Sequence, residues 1–110
     1  MDEVRIEPVW IQPEVVLAVH DRQLAEHGGG IGVRDAGLID SALARPRNRW
    51  EYGEDDLVAL AAAHAFGIVR NHPFVDGNKR TGWILARLFL RLNGLDIAFD
   101  DLTAIRTVET

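Results

Sequence analysis

Leu57-Val58-Ala59-Leu60-Ala61-Ala62-Ala63-His64-Ala65-Phe66-Gly67-Ile68-Val69-Arg70-Asn71 is the stretch on which the fold turns. Leu57, Leu60, Ala61, His64, Ala65 and Ile68 recur at helical spacing, and the run of alanines favours helix and close packing. The segment is apolar nearly all round, which predicts a buried central helix. Asp55 or Glu54 is its expected cap, and it must end near Asn71, because helical geometry is disfavoured just before Pro73.

Working outward, a helix from Asn78 to Asn93 presents Trp83, Ile84, Leu85, Leu88, Phe89 and Leu92, with Gly94 as its stop. Toward the N-terminus, a helix is expected from Pro13 to Glu26. Leu17, His20 and Leu24 share one of its faces, Pro13 suits its first position and Gly28 ends it. Another helix fits Asp35 to Ala44, with Leu38, Ile39, Ala42 and Leu43 as its stripe. Pro46 bars its continuation, which leaves Arg45 to Gly53 as a polar, aromatic and basic loop. Leu95 to Phe99 alternates like a short extended piece. A fifth helix, capped by Asp100 or Asp101, then runs through Leu102, Ile105 and Val108. The expectation is an all-α domain, a small orthogonal helical bundle around a central helix-loop-helix.

The chain has 110 residues, enough for one domain. Twelve Lys and Arg stand against 17 Asp and Glu, a formal charge of −5. Direct nucleic-acid binding is not expected of so acidic a domain. The chain contains no cysteine, which excludes disulfides and thiolate zinc sites. No apolar run approaches the roughly 20 residues that span a bilayer. Met1-Asp2-Glu3-Val4-Arg5 lacks the basic-then-apolar form of a signal peptide, so a cytoplasmic protein is expected.

Chemistry concentrates in Asn71-His72-Pro73-Phe74-Val75-Asp76-Gly77-Asn78-Lys79-Arg80-Thr81, the loop between the two clearest helices. Free backbone N–H groups and the positive end of a helix dipole converge there, which makes an anion site. Gly77 removes a Cβ where a phosphate must approach, and Asn78, Lys79 and Arg80 add donors and positive charge. Cations oppose the dipole at a helix N-terminus, a broken local rule that implies a bound polyanion. Asp76 supplies the single carboxylate with which Mg²⁺ is usually held beside phosphate oxygens. His72 is placed to accept a hydroxyl proton. Phe74 is expected in the core, fixing the loop. A base, a metal carboxylate and a phosphate cradle together describe transfer of part of a nucleotide to a hydroxyl.

These residues resemble the signature of the Fic/Doc family, His-x-Phe-x-Asp/Glu-Gly/Ala-Asn-Gly/Lys-Arg, at every specified position. His20-Asp21 to Gly28-Gly29, Gly32-Val33-Arg34-Asp35 and Leu38-Ile39-Asp40-Ser41-Ala42-Leu43-Ala44 resemble its death-on-curing (Doc) branch. The likeness covers roughly residues 10 to 100. It implies His72 as catalytic base, Asp76 as Mg²⁺ ligand, and Gly77, Asn78, Lys79 and Arg80 as holders of the phosphates. Fic-type adenylyl transferases have glycine where this chain has Lys79, and a second arginine where it has Trp83. Both departures match the Doc branch, whose members resemble kinases that transfer the γ-phosphoryl group of ATP. Gly77 stands where Doc has alanine and is closer to Fic.

The resemblance implies a toxin of a toxin–antitoxin system. It would be a Mg-ATP-dependent kinase on a Ser or Thr hydroxyl of a host translation protein, elongation factor Tu in the family. Transfer of AMP to a protein hydroxyl and an inactive Fic-fold binding module are the alternatives. None of Ser41, Thr81, Thr103 or Thr107 precedes a glutamate by four residues, as in self-inhibited Fic proteins. Inhibition is therefore expected from another chain, an antitoxin of the prevents-host-death (Phd) type whose C-terminal segment folds on binding. The pattern runs out in the fifth helix, which reads as a minimal or C-terminally shortened domain.

Two histidines and one basic stretch carry competing readings. His64 and His20 lie on apolar stripes, where a hydrogen-bonded core histidine is the usual outcome. As the His-Asp pair of a metal phosphohydrolase, His20-Asp21 would need further ligands, and only His64 and His72 are on offer. Arg45, Arg47, Arg49 and Trp50 are either a solvated connector or, as the resemblance implies, a flap that docks the target protein.

Overall fold

A computed structural model of the chain describes residues 4–95. Among them the order is α1 (Pro13–His27), α2 (Gly37–Glu51), α3 (Leu57–Asn71) and α4 (Asn78–Leu92). This is the all-α architecture that the periodicity predicts. None of these helices is long and apolar enough to cross a membrane. The fifth helix and the extended piece beyond Leu95 fall outside the described residues.

α3 lies between α2 and α4, and it buries Leu60, Ala61, His64, Ala65 and Ile68. Two glycines let the backbones meet. A Cβ on Gly67 would lie 2.8 Å from the Ala42 carbonyl of α2, and one on Gly82 would lie 3.1 Å from the Ala65 carbonyl of α3. His64, 1% exposed, hydrogen-bonds through Nδ1 to the Leu60 carbonyl at 2.8 Å, as expected of a core histidine. Its ring centroid lies 4.4 Å from that of Phe89.

Two local expectations fail. α2 does not stop before Pro46 but continues to Glu51, so the segment expected as a loop is mostly helix. Proline removes one N–H, the one that would bond to Ala42 four residues back. That carbonyl faces the close approach of Gly67, and the Pro46 ring is fully buried, so core burial offsets the lost bond. The cap of α3 is Asp56, whose Oδ1 accepts the Val58 N–H at 2.9 Å. Asp55 instead pairs with Arg5 at 2.7 Å, and Glu54 accepts the Asp56 N–H at 3.2 Å.

The extended N-terminal segment seals the far end of the bundle. Trp10 stacks on Phe89, and the Asn93 carboxamide bonds both the N–H and the carbonyl of Val9. The Arg5 guanidinium lies 4.3 Å from the centroid of Trp50.

Candidate active site

The loop between α3 and α4 begins in a left-handed conformation. His72 has φ 54°, and it is the one non-glycine with positive φ among the described residues. Its N–H still bonds to the Ile68 carbonyl at 3.0 Å, so His72 is the C-cap of α3. A non-glycine in this region is strained unless its surroundings hold it there. Arg34 does so. Its guanidinium donates to the carbonyls of His72 at 2.9 Å and Asn71 at 3.2 Å, which α3 leaves without helical donors. A cation at this end also suits the helix dipole. The imidazole itself is exposed.

The segment after α1 runs alongside and fixes the loop's path. Pro73 O accepts the N–H of Arg34 at 2.6 Å and of Asp35 at 3.2 Å, and the Val75 N–H bonds to Gly32 O at 3.0 Å. Val33 and Phe74 form an isolated antiparallel bridge. Phe74 is 0% exposed, the anchor that the sequence suggested.

Asn78 closes the turn. Its Oδ1 accepts the Phe74 N–H at 3.0 Å and its Nδ2 donates to the Phe74 carbonyl at 2.9 Å. The structure thus spends both ends of this buried carboxamide on the loop backbone. Gly77, at φ 78°, is the N-cap of α4, and no side chain caps that helix. A Cβ on Gly77 would point toward His20, about 3.7 Å away. The backbone angle by itself demands a glycine here.

His20 proves to be part of this assembly. It is 2% exposed, its ring stacks on Phe74 with centroids 3.6 Å apart, and its Nε2 donates to the Asp76 carbonyl at 2.8 Å. The Asp76 carboxylate accepts the Gly77 N–H at 2.8 Å on one oxygen and the Gly30 N–H at 3.2 Å on the other. The bond from Gly30, then that from Gly77, holds its pKa below the usual carboxylate value, with smaller help from Arg80 and His20. An exposed, ionised carboxylate results at the mouth of the site.

A cavity of about 760 Å³ gathers His27, Gly28, Gly29, His72, Asp76, Gly77, Asn78, Lys79, Arg80 and Trp83. Every residue expected at the nucleotide site meets there. Arg47, Arg49 and Trp50 do not line it. They sit on the C-terminal half of α2 rather than in a flap. Arg47 lies over Trp10 at 5.5 Å, Arg49 is 3.7 Å from Glu54, and Trp50 packs under Arg5. No group of three or more His, Cys, Asp or Glu that could hold a metal occurs among the described residues. Asp76 is a single carboxylate with lone pairs to spare. That donor set suits Mg²⁺ carried in on phosphate oxygens and not a resident metal centre.

The sequence reading missed two contributors, His20 as loop support and Arg34 as the clamp on His72. Their backbone partners lie 37 to 56 positions away, so the spacing of neighbouring residues does not reveal either role.

The Fic/DOC family model matches residues 10–90. Toxin Doc of Mycolicibacterium smegmatis is 49% identical over 76 residues, which cover 66% of this chain and 58% of that protein. Protein kinase doc of Escherichia phage P1 is 38% identical over 88 residues, covering 79% of this chain and 70% of that one. The chain therefore spans less than two thirds of the mycobacterial relative.

Proposed function

The chain belongs to the Fic/DOC family, and from that premise we propose that it is a Doc-like toxin, a protein kinase that transfers the γ-phosphoryl group of ATP to a Ser or Thr hydroxyl. The observation that carries this reading is the convergence of His72, Asp76 and the N-terminus of α4, with Lys79 and Arg80, in one cavity. Names of the relatives, one a toxin and one a kinase, point the same way.

In this reading His72 takes the proton of the target hydroxyl through its exposed imidazole. The hydroxyl oxygen bonds to the γ-phosphorus as the bond to the β–γ bridging oxygen breaks, and ADP leaves. Lys79, Arg80 and the backbone N–H groups of Gly77 and Asn78 hold the phosphates, while the Asn78 side chain keeps the loop in shape. Asp76 would hold Mg²⁺, which supplies charge neutralisation on the phosphates. Arg34 keeps His72 aimed by holding its backbone.

A translation factor, elongation factor Tu in the family, is the proposed target, and a Phd-type antitoxin the proposed partner, both in the cytoplasm. Arg47, Arg49 and Trp50 remain candidates for docking that target from the α2 surface. Gly77 favours a second reading, AMP transfer from the same site, since it matches the Fic pattern. Labelled ATP separates the two. Label from the γ position should pass to protein and label from the α position should not. The reverse result replaces kinase with adenylyl transferase, and binding of nucleotide with no transfer of either label indicates a binding module.

A further inference from the structure

The cavity has a phosphate end, Asp76 to Arg80, but its lining extends beyond what phosphates require. The remaining wall includes Trp83 on α4 and His27 in the last turn of α1. Neither has a part in the transfer described above. We propose that Trp83 is the platform on which the nucleobase stacks, so that the cavity recognises a nucleoside triphosphate and not merely a polyphosphate. The inference rests on the nucleotide reading of the site and adds a specificity residue to it.

Three observations carry it. First, Trp83 follows Lys79 by four residues on one continuous helix, so both project from the same face. The rise between them is about 6 Å, the order of distance that a ribose puts between a phosphate and its base. Second, Trp83 is half-buried and packs partly against the core. Its indole is thus already ordered, and a ligand need not immobilise it. Third, the α1 side of the cavity is open. A Cβ added at Gly28 would meet nothing within 4 Å, which leaves space for a planar group near the His27 ring. Trp10 and Trp50, by contrast, pack against each other and against Phe89 or Arg5, outside the cavity.

Calorimetric titration with ATP, GTP and inorganic tripolyphosphate, each with Mg²⁺, tests the proposal on the intact chain. Wild type should bind both nucleotides more tightly than tripolyphosphate. Trp83→Leu should weaken ATP and GTP roughly tenfold, the usual order for a lost base–aromatic stack, and leave tripolyphosphate unchanged. Trp83→Phe should restore most of the loss. ATP should also quench tryptophan emission in wild type and not in Trp83→Phe, where Trp10 and Trp50 remain. An equal loss for all three ligands, or no loss for ATP, overturns the stacking role while the nucleotide site stands. A wild type that binds none of the three overturns the nucleotide reading itself.

Discussion

The His20 imidazole lies flat on the Phe74 ring, 5° from parallel and 3.6 Å between centroids, while its Nε2 reaches the Asp76 carbonyl. One buried side chain of α1 thereby supports both the Phe74 anchor of the loop and the backbone of Asp76, the residue proposed to hold Mg²⁺. The two contributions separate by substitution. His20→Ala should cost about 2–4 kcal/mol in a thermal melt, the range for emptying a packed aromatic site. It should also reduce phosphoryl transfer by at least tenfold. His20→Phe keeps the stack and loses the hydrogen bond, so stability should largely return while transfer stays low. If His20→Phe restores both, the bond to Asp76 has no catalytic consequence.

Arg34 and His72 give a second separable pair. His72→Ala should abolish transfer and shift stability by less than about 1 kcal/mol, because its ring is exposed. Arg34→Ala removes the two donors that hold the left-handed C-cap. The turnover rate should drop at least tenfold with nucleotide affinity nearly unchanged, since Arg34 does not line the cavity. Arg34→Lys keeps the charge without the planar fork and should recover only part of the rate. Full activity in Arg34→Ala would remove the clamp from the mechanism.

Much of this site was readable from residue order, and the exceptions have a common cause. The loop's position follows from Pro73 and the flanking apolar periods, and Phe74 reads as an anchor because it alternates with His72 across Pro73. Pro46 reads as a stop for α2, since the burial that offsets its missing N–H is a property of the folded chain and not of the local sequence. Asn78 and Gly77 carry chemistry-bearing residue types whose first task here is to shape the backbone. His20 and Arg34 act through carbonyl groups, and a carbonyl is the same at every position of a sequence.

His64 makes the acid response of the fold predictable. Burial lowers its pKa from 6.5 to about 4, against the smaller raising effect of its bond to Leu60. Between those values the unfolded chain takes up a proton that the folded chain refuses. Stability should therefore fall as pH drops from 6.5 toward 4, by up to about 3 kcal/mol, with no further loss from this group below 4. Above 6.5 both states are neutral and the effect vanishes. His64→Leu should flatten that part of the curve. Parallel melting curves for variant and wild type between pH 7.5 and 4.5 would assign the acid sensitivity elsewhere.

The Asp76 carboxylate offers the sharpest test of metal use. An ordinary aspartate is already ionised at pH 5, and the bonds from Gly30 and Gly77 hold Asp76 in that form to lower pH still, so Mg²⁺-dependent ATP binding should persist at pH 5. Asp76→Asn should bind ATP with little response to Mg²⁺, because the amide is a weak ligand for a hard cation. Gly29→Ala attacks the same group from outside. Gly29 has φ 127°, and an added Cβ would lie 2.8 Å from Asp76 Oδ2, so the carboxylate must shift or the segment must move. The variant should raise the Mg²⁺ concentration needed for half-maximal transfer by several fold, with maximal rate recovered at saturating metal. Asp76→Asn should show no such recovery. If Gly29→Ala loses rate without a change in Mg²⁺ dependence, the pressure falls on the loop rather than on the metal ligand, and Asp76 need not touch the ion.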